Sequence, residues 1–313
     1  MWHSNISDYD FPPYRPPNEA SSALIRASRG CPWNKCLFCT MYKTLKFKPR
    51  SVEEVKNDID KAVTIYKDAK TVFIADSDSL VMKNIAEIIQ HIKLRFPDID
   101  RITSYARAKT LMNLGSKRLK KLKEAGLTRV HVGLESGDKT TLEFMKKGVT
   151  PQEIIAGGKE TKASGLELSF YILIGAGGKD RFEEHAIESA RVCNEVNPDF
   201  IRLRTLIVQH GSLLEKMMTS GKYKPTSPLE KLKEVKIFVE NLKVDNCELA
   251  SDHFTNYIWL DNTIIYRGIY GILPKDKSEL LETLNHTLDF LSFAEGEILD
   301  ATILYERGLI DSL

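Results

Sequence analysis

The sequence predicts an α/β chain built as a partial (β/α)6 barrel, with an α+β carboxy-terminal extension. Six short apolar runs alternate with helix-patterned stretches at about thirty residues per unit, the length of a crossover between parallel strands. Two of those runs are polar on one face only: His131 and Glu135 oppose Val130, Val132 and Leu134, and Arg202 and Arg204 oppose Ile201 and Leu203. A parallel sheet with helices on both faces is apolar throughout. A polar face therefore favours a lumen with helices only outside over an open doubly wound sheet, the alternative being that these side chains reach solvent at strand ends. Beyond Gln209 the alternation stops, which divides the chain into a lead-in at 1–22, a core at 23–210 and an extension at 211–313.

Each element has its own signal. Phe11 to Pro17 is rich in proline, which excludes regular helix and central strand. Ala23 to Ser28 reads as a strand ending at Gly30. Ser51-Val52-Glu53-Glu54 is a capping box opening a helix with Val55, Ile59, Ala62 and Tyr66 on one face. Thr71–Ala75 is a buried strand, and Ile85, Ile88, Ile89 and Ile92 stripe the helix after it. Arg101–Tyr105 is a strand, Ser116–Ala125 a helix stopped by Gly126, and Val130–Leu134 a strand. Thr150-Pro151-Gln152-Glu153 opens a helix ending near Gly165. Strand Leu168–Ile174, helix Arg181–Val196 and strand Phe200–Val208 complete the alternation. The extension carries helices at Ser212–Thr219 and Pro228–Leu242, a strand-like run Val244–Ser251, a polar knot Ser251–Tyr257, and a helix Asp276–Phe290 with Leu280, Leu284 and Leu291 inward.

Composition limits the function classes. Among 313 residues, 45 basic and 43 acidic side chains leave a net charge of +2, which does not suggest a general nucleic-acid binder. No apolar run reaches the ~18–20 residues of a membrane span, and the amino terminus predicts no leader. Five cysteines, three of them within nine residues, do not form a secreted disulfide framework. The expectation is a cytoplasmic protein with reduced thiols and no membrane partner.

Cys31, Cys36 and Cys39 are the most informative residues. Three thiolates on one loop after a strand can converge on one metal centre. A structural zinc site needs a fourth ligand, and neither His3 nor His91 has ligand-like spacing. Iron–sulfur chemistry suits thiolates better, and three ligands to a four-iron cluster leave one iron open to a reactant. Cys193 on an apolar helix face and Cys247 in a strand read as core.

From Ala23 to Val208 the chain resembles the radical S-adenosylmethionine (radical SAM) superfamily, closest in its core to elongator-type and coproporphyrinogen-oxidase-like members. The cysteine spacing is four then two, where the family usually has three then two. The resemblance implies an incomplete TIM-type barrel holding a [4Fe-4S] cluster through Cys31, Cys36 and Cys39, with Phe38 near the adenine of SAM. Ala75-Asp76-Ser77-Asp78 stands where the family has a Gly-Gly-Glu-like turn for the methionine ammonium; Asp78 also reads as a helix N-cap. Gly133-Leu134-Glu135-Ser136-Gly137 is similar to the fourth-strand motif, which implies ribose or amino-acid contacts for Glu135 and Ser136. Lys147 falls where one branch has an arginine on the SAM carboxylate. Ile172 to Gly178 is similar to the fifth-strand motif, with Leu173 at the adenine.

The resemblance further implies one-electron cleavage of SAM to methionine and a 5′-deoxyadenosyl radical, which abstracts hydrogen from a substrate. The electron would come from an external flavodoxin- or ferredoxin-like reductant. Candidate substrate-facing residues are Arg202 and Arg204, which suit an anionic small molecule or pair internally with Glu135, and His253, Asn256 and Tyr257 of the extension. Two alternatives remain: an RNA-modifying enzyme of the same family, given the basic run Lys117-Arg118-Lys120-Lys121-Lys123, and a non-catalytic iron–sulfur or zinc protein acting as sensor or scaffold.

Overall fold

The computed structural model describes residues 15–310. The first part of the proline-rich lead-in, through Tyr14, lies outside the described residues. From Pro17 the lead-in makes one 3-10 turn, Pro17–Glu19. The chain then runs β1 (Ala23–Arg26), β2 (Ser28–Arg29), β3 (Lys48–Pro49), α1 (Val52–Ile65), β4 (Thr71–Ala75), α2 (Ile85–Arg95), β5 (Arg101–Ala106), α3 (Ala108–Ala125), β6 (Arg129–Glu135), α4 (Lys139–Phe144) and α5 (Pro151–Ala163). It continues through β7 (Glu167–Ile174), α6 (Phe182–Val196), β8 (Phe200–Thr205), α7 (Leu213–Thr219), α8 (Pro228–Asn241) and β9 (Cys247–Ala250). The last elements are β10 (Ile258–Leu260), β11 (Thr263–Tyr266), β12 (Tyr270–Leu273), α9 (Lys277–Phe293), β13 (Ile298–Asp300) and α10 (Ala301–Glu306).

The helix starts follow the sequence signals. Ser51 accepts from the Glu54 N–H while the Glu54 carboxylate accepts from the Ser51 N–H, satisfying two donors at the head of α1. Thr150 and Glu153 repeat the arrangement at α5. The helix predicted from Ser116 begins earlier, at Ala108, and bends at Gly115, whose φ is +67°.

The described chain forms two compact units, whose limits differ from a division at 210. The first comprises residues 15–34, 41–132 and 156–168. Its strands pair in parallel in the order β1-β4-β5-β6, with Ala23 opposite Val72, Thr71 opposite Arg101 and Tyr105 opposite His131. Ile74, Ile102 and the inward stripes of α1 and α2 are buried, while Phe73, on the other face of β4, clusters with Leu24, Ala75 and Tyr105. His131, expected on a wet face, is instead fully buried. Its Nε2 lies 3.1 Å from Glu19 Oε1, and the ring packs edge-on against Tyr105. The lead-in thus fills this face, and Glu19, also reached by Ser22 and Arg101, meets the requirement of a buried carboxylate for partners.

The second unit comprises residues 35–40, 133–155 and 169–310. Here β7, β8 and β9 run parallel and β12 closes the edge antiparallel to β9. Cys247–Ala250, within the extension, pairs in parallel with β8. A separate antiparallel sheet, β11-β10-β13, caps the extension. Helix α8 packs between α6 and α9, and Lys231 on α8 is buried against Asp300 and Thr302 at 2.6 and 2.7 Å. Among the described residues no helix is long and apolar enough to cross a membrane.

Candidate cluster and cofactor site

In the first unit, the end of β4 holds the start of the cysteine loop. Asp76 is fully buried; it accepts from Arg26 Nε at 3.2 Å and from the Gly30 N–H at 2.9 Å. Ser77 Oγ donates to the Gly30 carbonyl at 2.9 Å. Gly30, at φ +82°, is therefore held on both its polar groups one residue before Cys31. Burial pushes the Asp76 carboxyl above its ordinary range, against the opposing pull of Arg26. The extra residue of the cysteine spacing is absorbed at Asn34, which takes φ +49°, donates its backbone N–H to Cys31 Sγ at 3.4 Å, and ties residues 42–45 to the loop through its amide. Asn tolerates this left-handed conformation better than most residues.

Asp78 does not cap the turn that follows it. Its carboxylate accepts from Thr110 Oγ1 at 2.6 Å and from the Arg107 N–H, so it serves the start of α3, whose own N-cap Arg107 has no side-chain acceptor to offer. Burial raises its pKa from 3.8 to about 6, outweighing those two bonds. The protonated native state is favoured, so this group's penalty is absent below the unfolded pKa of 3.8, grows as pH rises, and is complete above about 6. Asp78→Asn is expected to be more stable than wild type by about 2 kcal/mol at pH 7.5, with the difference closing near pH 4. Urea unfolding of the cluster-free chain at both pH values measures this, and a pH-independent difference would contradict it. Asp76 is thus turned to protein partners with both oxygens, whereas Asp78 keeps one buried oxygen, Oδ1, without a hydrogen-bond partner.

In the second unit, Leu37 is buried and fixed by its backbone: its N–H donates to the Met145 carbonyl at 3.0 Å and its carbonyl accepts from the Leu214 N–H at 3.1 Å. It packs with Met145, Ala176, Leu206 and Tyr223, and Phe38 and Leu173 lie against the same cluster. Cys36 and Cys39 flank this anchor, and Thr40 Oγ1 is hydrogen-bonded to Gln209. None of the three loop thiols is in a disulfide, and all are half-buried. Among the described residues no three His, Cys, Asp or Glu side chains are preassembled as a metal cage. The donor set nevertheless fits an iron–sulfur cluster, being three unoxidised thiols on an anchored, accessible loop.

Around Phe38 the later motifs gather. Lys147 Nζ lies 6.0 Å from the Phe38 ring centroid and 2.7 Å from Glu135 Oε1. Gly133 leaves room for that pair, since a Cβ there would lie 2.1 Å from Glu135 Oε1 and 2.9 Å from Lys147 Nζ. Ser136 is different: its hydroxyl is buried, 2.7 Å from His185 Nδ1, and accepts from the Asp138 N–H. The Gly175 turn after β7 is held by Glu234 on α8, whose carboxylate accepts the Gly175 N–H at 3.0 Å, and by Tyr223, whose hydroxyl donates to the Gly175 carbonyl at 2.7 Å.

The substrate-side candidates separate. Arg202 and Arg204 alternate with buried Ile201 and Leu203 as expected, both half-buried. Arg202 pairs with Glu248 at 2.8 Å, and not with Glu135, because β9 lies beside β8 and puts Glu248 on the same face. Arg204 sits with its guanidinium 5.6 Å from the Tyr171 ring centroid. His253 caps the 3-10 turn Phe254–Asn256 with Nδ1; burial, then the charge of Arg204, lowers its pKa to about 4, so it is neutral near pH 7. Asn256 donates to the Leu203 and Ser251 carbonyls and accepts from Thr205, a structural role. Tyr257 stands beside Trp259 and Arg267. Cys193 and Cys247 are fully buried, with the Cys193 thiol pushed well above its ordinary value by burial and by Cys247.

The family profile of the radical SAM superfamily matches residues 25–188. An uncharacterized methyltransferase of Pyrococcus horikoshii is 32% identical over 167 residues, 52% of this chain and 35% of that protein. The tRNA uridine(34) acetyltransferase of Methanocaldococcus jannaschii is 29% identical over 112 residues, 36% of this chain and 21% of that protein. The chain thus spans well under half the length of either relative. Among solved structures, archaeal Elp3 of Methanocaldococcus infernus superposes with a TM-score of 0.50 at 13% identity, covering 93% of this chain and 69% of the other. Methylornithine synthase (PylB) gives 0.51 at 15% identity, covering 91% and 85%. At these identities the likeness is one of fold, the partial (β/α)6 barrel. The chain belongs to the radical SAM superfamily, whose members are enzymes that use a [4Fe-4S] cluster and S-adenosylmethionine.

Proposed function

We propose that this chain cleaves SAM reductively at a cluster held by Cys31, Cys36 and Cys39, and uses the product to take hydrogen from a small anionic substrate. The observation that carries this reading is the meeting of Phe38, Glu135 and Lys147: three residues from separate motifs occupy one neighbourhood beside the cysteine loop. When bound, the cluster supplies the single electron that breaks a carbon–sulfur bond of SAM. The protein's own residues do the rest. Lys147 offers a cation to the SAM carboxylate and Glu135 an acceptor to a hydroxyl or ammonium, each tuned by the other. Phe38 and Leu173 supply apolar walls, and Leu37 keeps the loop in place while water is excluded. On β8, Arg202 and Arg204 give a half-buried cationic face for substrate, edged by Tyr171 and Glu248.

The electron donor is a partner of this reading too. From residue 20 to residue 52 the sequence has no acidic residue while carrying seven basic ones, Arg26, Arg29, Lys35, Lys43, Lys46, Lys48 and Arg50. Lys43, Lys46 and Lys48 are exposed, which suits an acidic one-electron carrier near the cluster loop.

Anaerobic reconstitution followed by dithionite tests the reading. The EPR signal of the reduced protein is expected to change on adding SAM, with 5′-deoxyadenosine formed, and Lys147→Met to weaken SAM binding about tenfold or more. A cluster indifferent to SAM would point instead to the sensor or scaffold. RNA as the substrate is the second reading, favoured by the tRNA-modifying relative; the basic run on α3 is fully exposed, with Leu119 and Leu122 turned inward as on an ordinary solvated face. Retention of tRNA that falls steeply with salt is the result that would favour it.

A further inference from the structure

Helix α6 bears an unusual stripe. Arg181, His185 and Ser189 are four residues apart, hence on one face, and each meets the turn that follows β6. Arg181 donates twice to Asp138, at 2.9 and 3.0 Å. His185 Nδ1 lies 2.7 Å from Ser136 Oγ, and Ser189 Oγ accepts from the Gly137 N–H at 2.8 Å. On its other side, His185 Nε2 stands 3.1 Å from Glu234 Oε1, a close ionic approach without hydrogen-bond geometry, and both oxygens of Glu234 face the Gly175 N–H at 3.0 and 3.1 Å. Ser136, His185 and Glu234 are all buried, so none of them can touch a ligand in solvent. A Cβ at Gly177 would fall 2.9 Å from His185 Cβ, which shows how closely the second turn also sits on α6.

We infer that Ser136, His185 and Glu234 form a positioning relay that fixes the turn after β6 relative to the turn after β7, and so sets SAM affinity without contact to SAM. The inference rests on the reading above, in which Glu135 and Lys147 on one side and Leu173 on the other hold SAM. A buried network of this kind has two discrete states, joined or broken, and a broken one lets the two turns drift independently. The carboxylate matters because a buried main-chain N–H at Gly175 must have an acceptor, and Glu234 supplies it from a helix remote in sequence. The imidazole matters because it is bonded to Ser136 through Nδ1 and packs its other nitrogen against the Glu234 carboxylate. The general rule is that supporting side chains of this type cost ligand affinity when lost, even where they touch no ligand.

The test uses the cluster-loaded full chain and measures SAM binding by equilibrium dialysis, beside iron content and the SAM-free EPR signal. His185→Leu keeps the volume and removes both contacts; it is expected to bind SAM about tenfold more weakly, with unchanged iron and an unchanged SAM-free spectrum. His185→Gln, able to donate and accept at once, is expected to recover part of that loss. If His185→Leu does not fold, Glu234→Gln carries the test, since it keeps an acceptor for Gly175 while weakening the link to His185. KM for SAM should rise while kcat at saturating SAM is preserved. A folded, cluster-loaded variant whose SAM affinity stays within about twofold of wild type, whatever its loss of thermal stability, would overturn the relay and leave the proposed function standing. A wild-type protein that does not bind SAM would overturn both.

Discussion

Serine in place of Cys36 is expected to give a folded chain that holds less than about a tenth of the wild-type iron and forms no detectable 5′-deoxyadenosine. The hydroxyl is smaller than the thiol and adds no bulk, so the loop keeps its shape: Leu37 stays bonded to Met145 and Leu214 through its main chain, independently of the neighbouring side chain. The hydroxyl does not ionise near neutral pH and is a poor partner for iron, whereas a thiol supplies a thiolate. Nothing stands in reserve. The remaining cysteines outside the loop, Cys193 and Cys247, are fully buried, and burial holds the Cys193 thiol protonated. Iron and sulfide per chain after anaerobic reconstitution, with circular dichroism as the control for folding, measure the effect. Wild-type iron content in Cys36→Ser would remove that cysteine from the cluster. The same substitution at Cys193 should leave iron unchanged, which separates loss of a ligand from loss of a core thiol.

How much of this could be read from the chain depended on whether the signal was local. The boxes at Ser51/Glu54 and Thr150/Glu153 each lie within four residues, so the starts of α1 and α5 were plain. Strand β4 was bounded correctly because an apolar run lies between Lys70 and Asp76. Strand β9 lay within the strand-like run Val244–Ser251, whereas β12 and β13, three or four residues long, owe their existence to pairing with distant chain, and β10 and β11 close on each other across Asp261-Asn262. The pairing of Arg202 with Glu248 was missed for the same reason. Ser136 was legible as a motif residue, yet its hydroxyl turns inward because His185, forty-nine residues on, stands against it. Lys231 and Glu234 carried an available signal: together with Phe238 they share the inward stripe of α8, and a charged residue in core phase demands a partner. The sequence could show that the demand existed, but not that Asp300 and Gly175 meet it.

Alanine in place of Gly137 is expected to cost about 3–5 kcal/mol of stability. A Cβ at this position would lie 2.1 Å from the Glu188 carbonyl oxygen, 2.4 Å from its carbon and 2.6 Å from Ser189 Cα. All three atoms belong to the main chain of α6, so no side-chain rotation relieves the clash and the helix itself must retreat. A retreat of that helix lengthens the bond from Gly137 to Ser189 and strains the Asp138–Arg181 and Ser136–His185 contacts beside it. Gly133 shows the opposite case four residues earlier. The atoms nearest its added Cβ are Glu135 Oε1 and Cδ and Lys147 Nζ, the ends of flexible side chains that can swing aside, so the disturbance there falls on the Glu135–Lys147 pair. Urea unfolding of Gly137→Ala against wild type measures the loss, and a midpoint that does not move would mean that α6 yields without resistance. That outcome would also count against the close fit on which the relay depends, because a helix free to retreat cannot hold two turns in register.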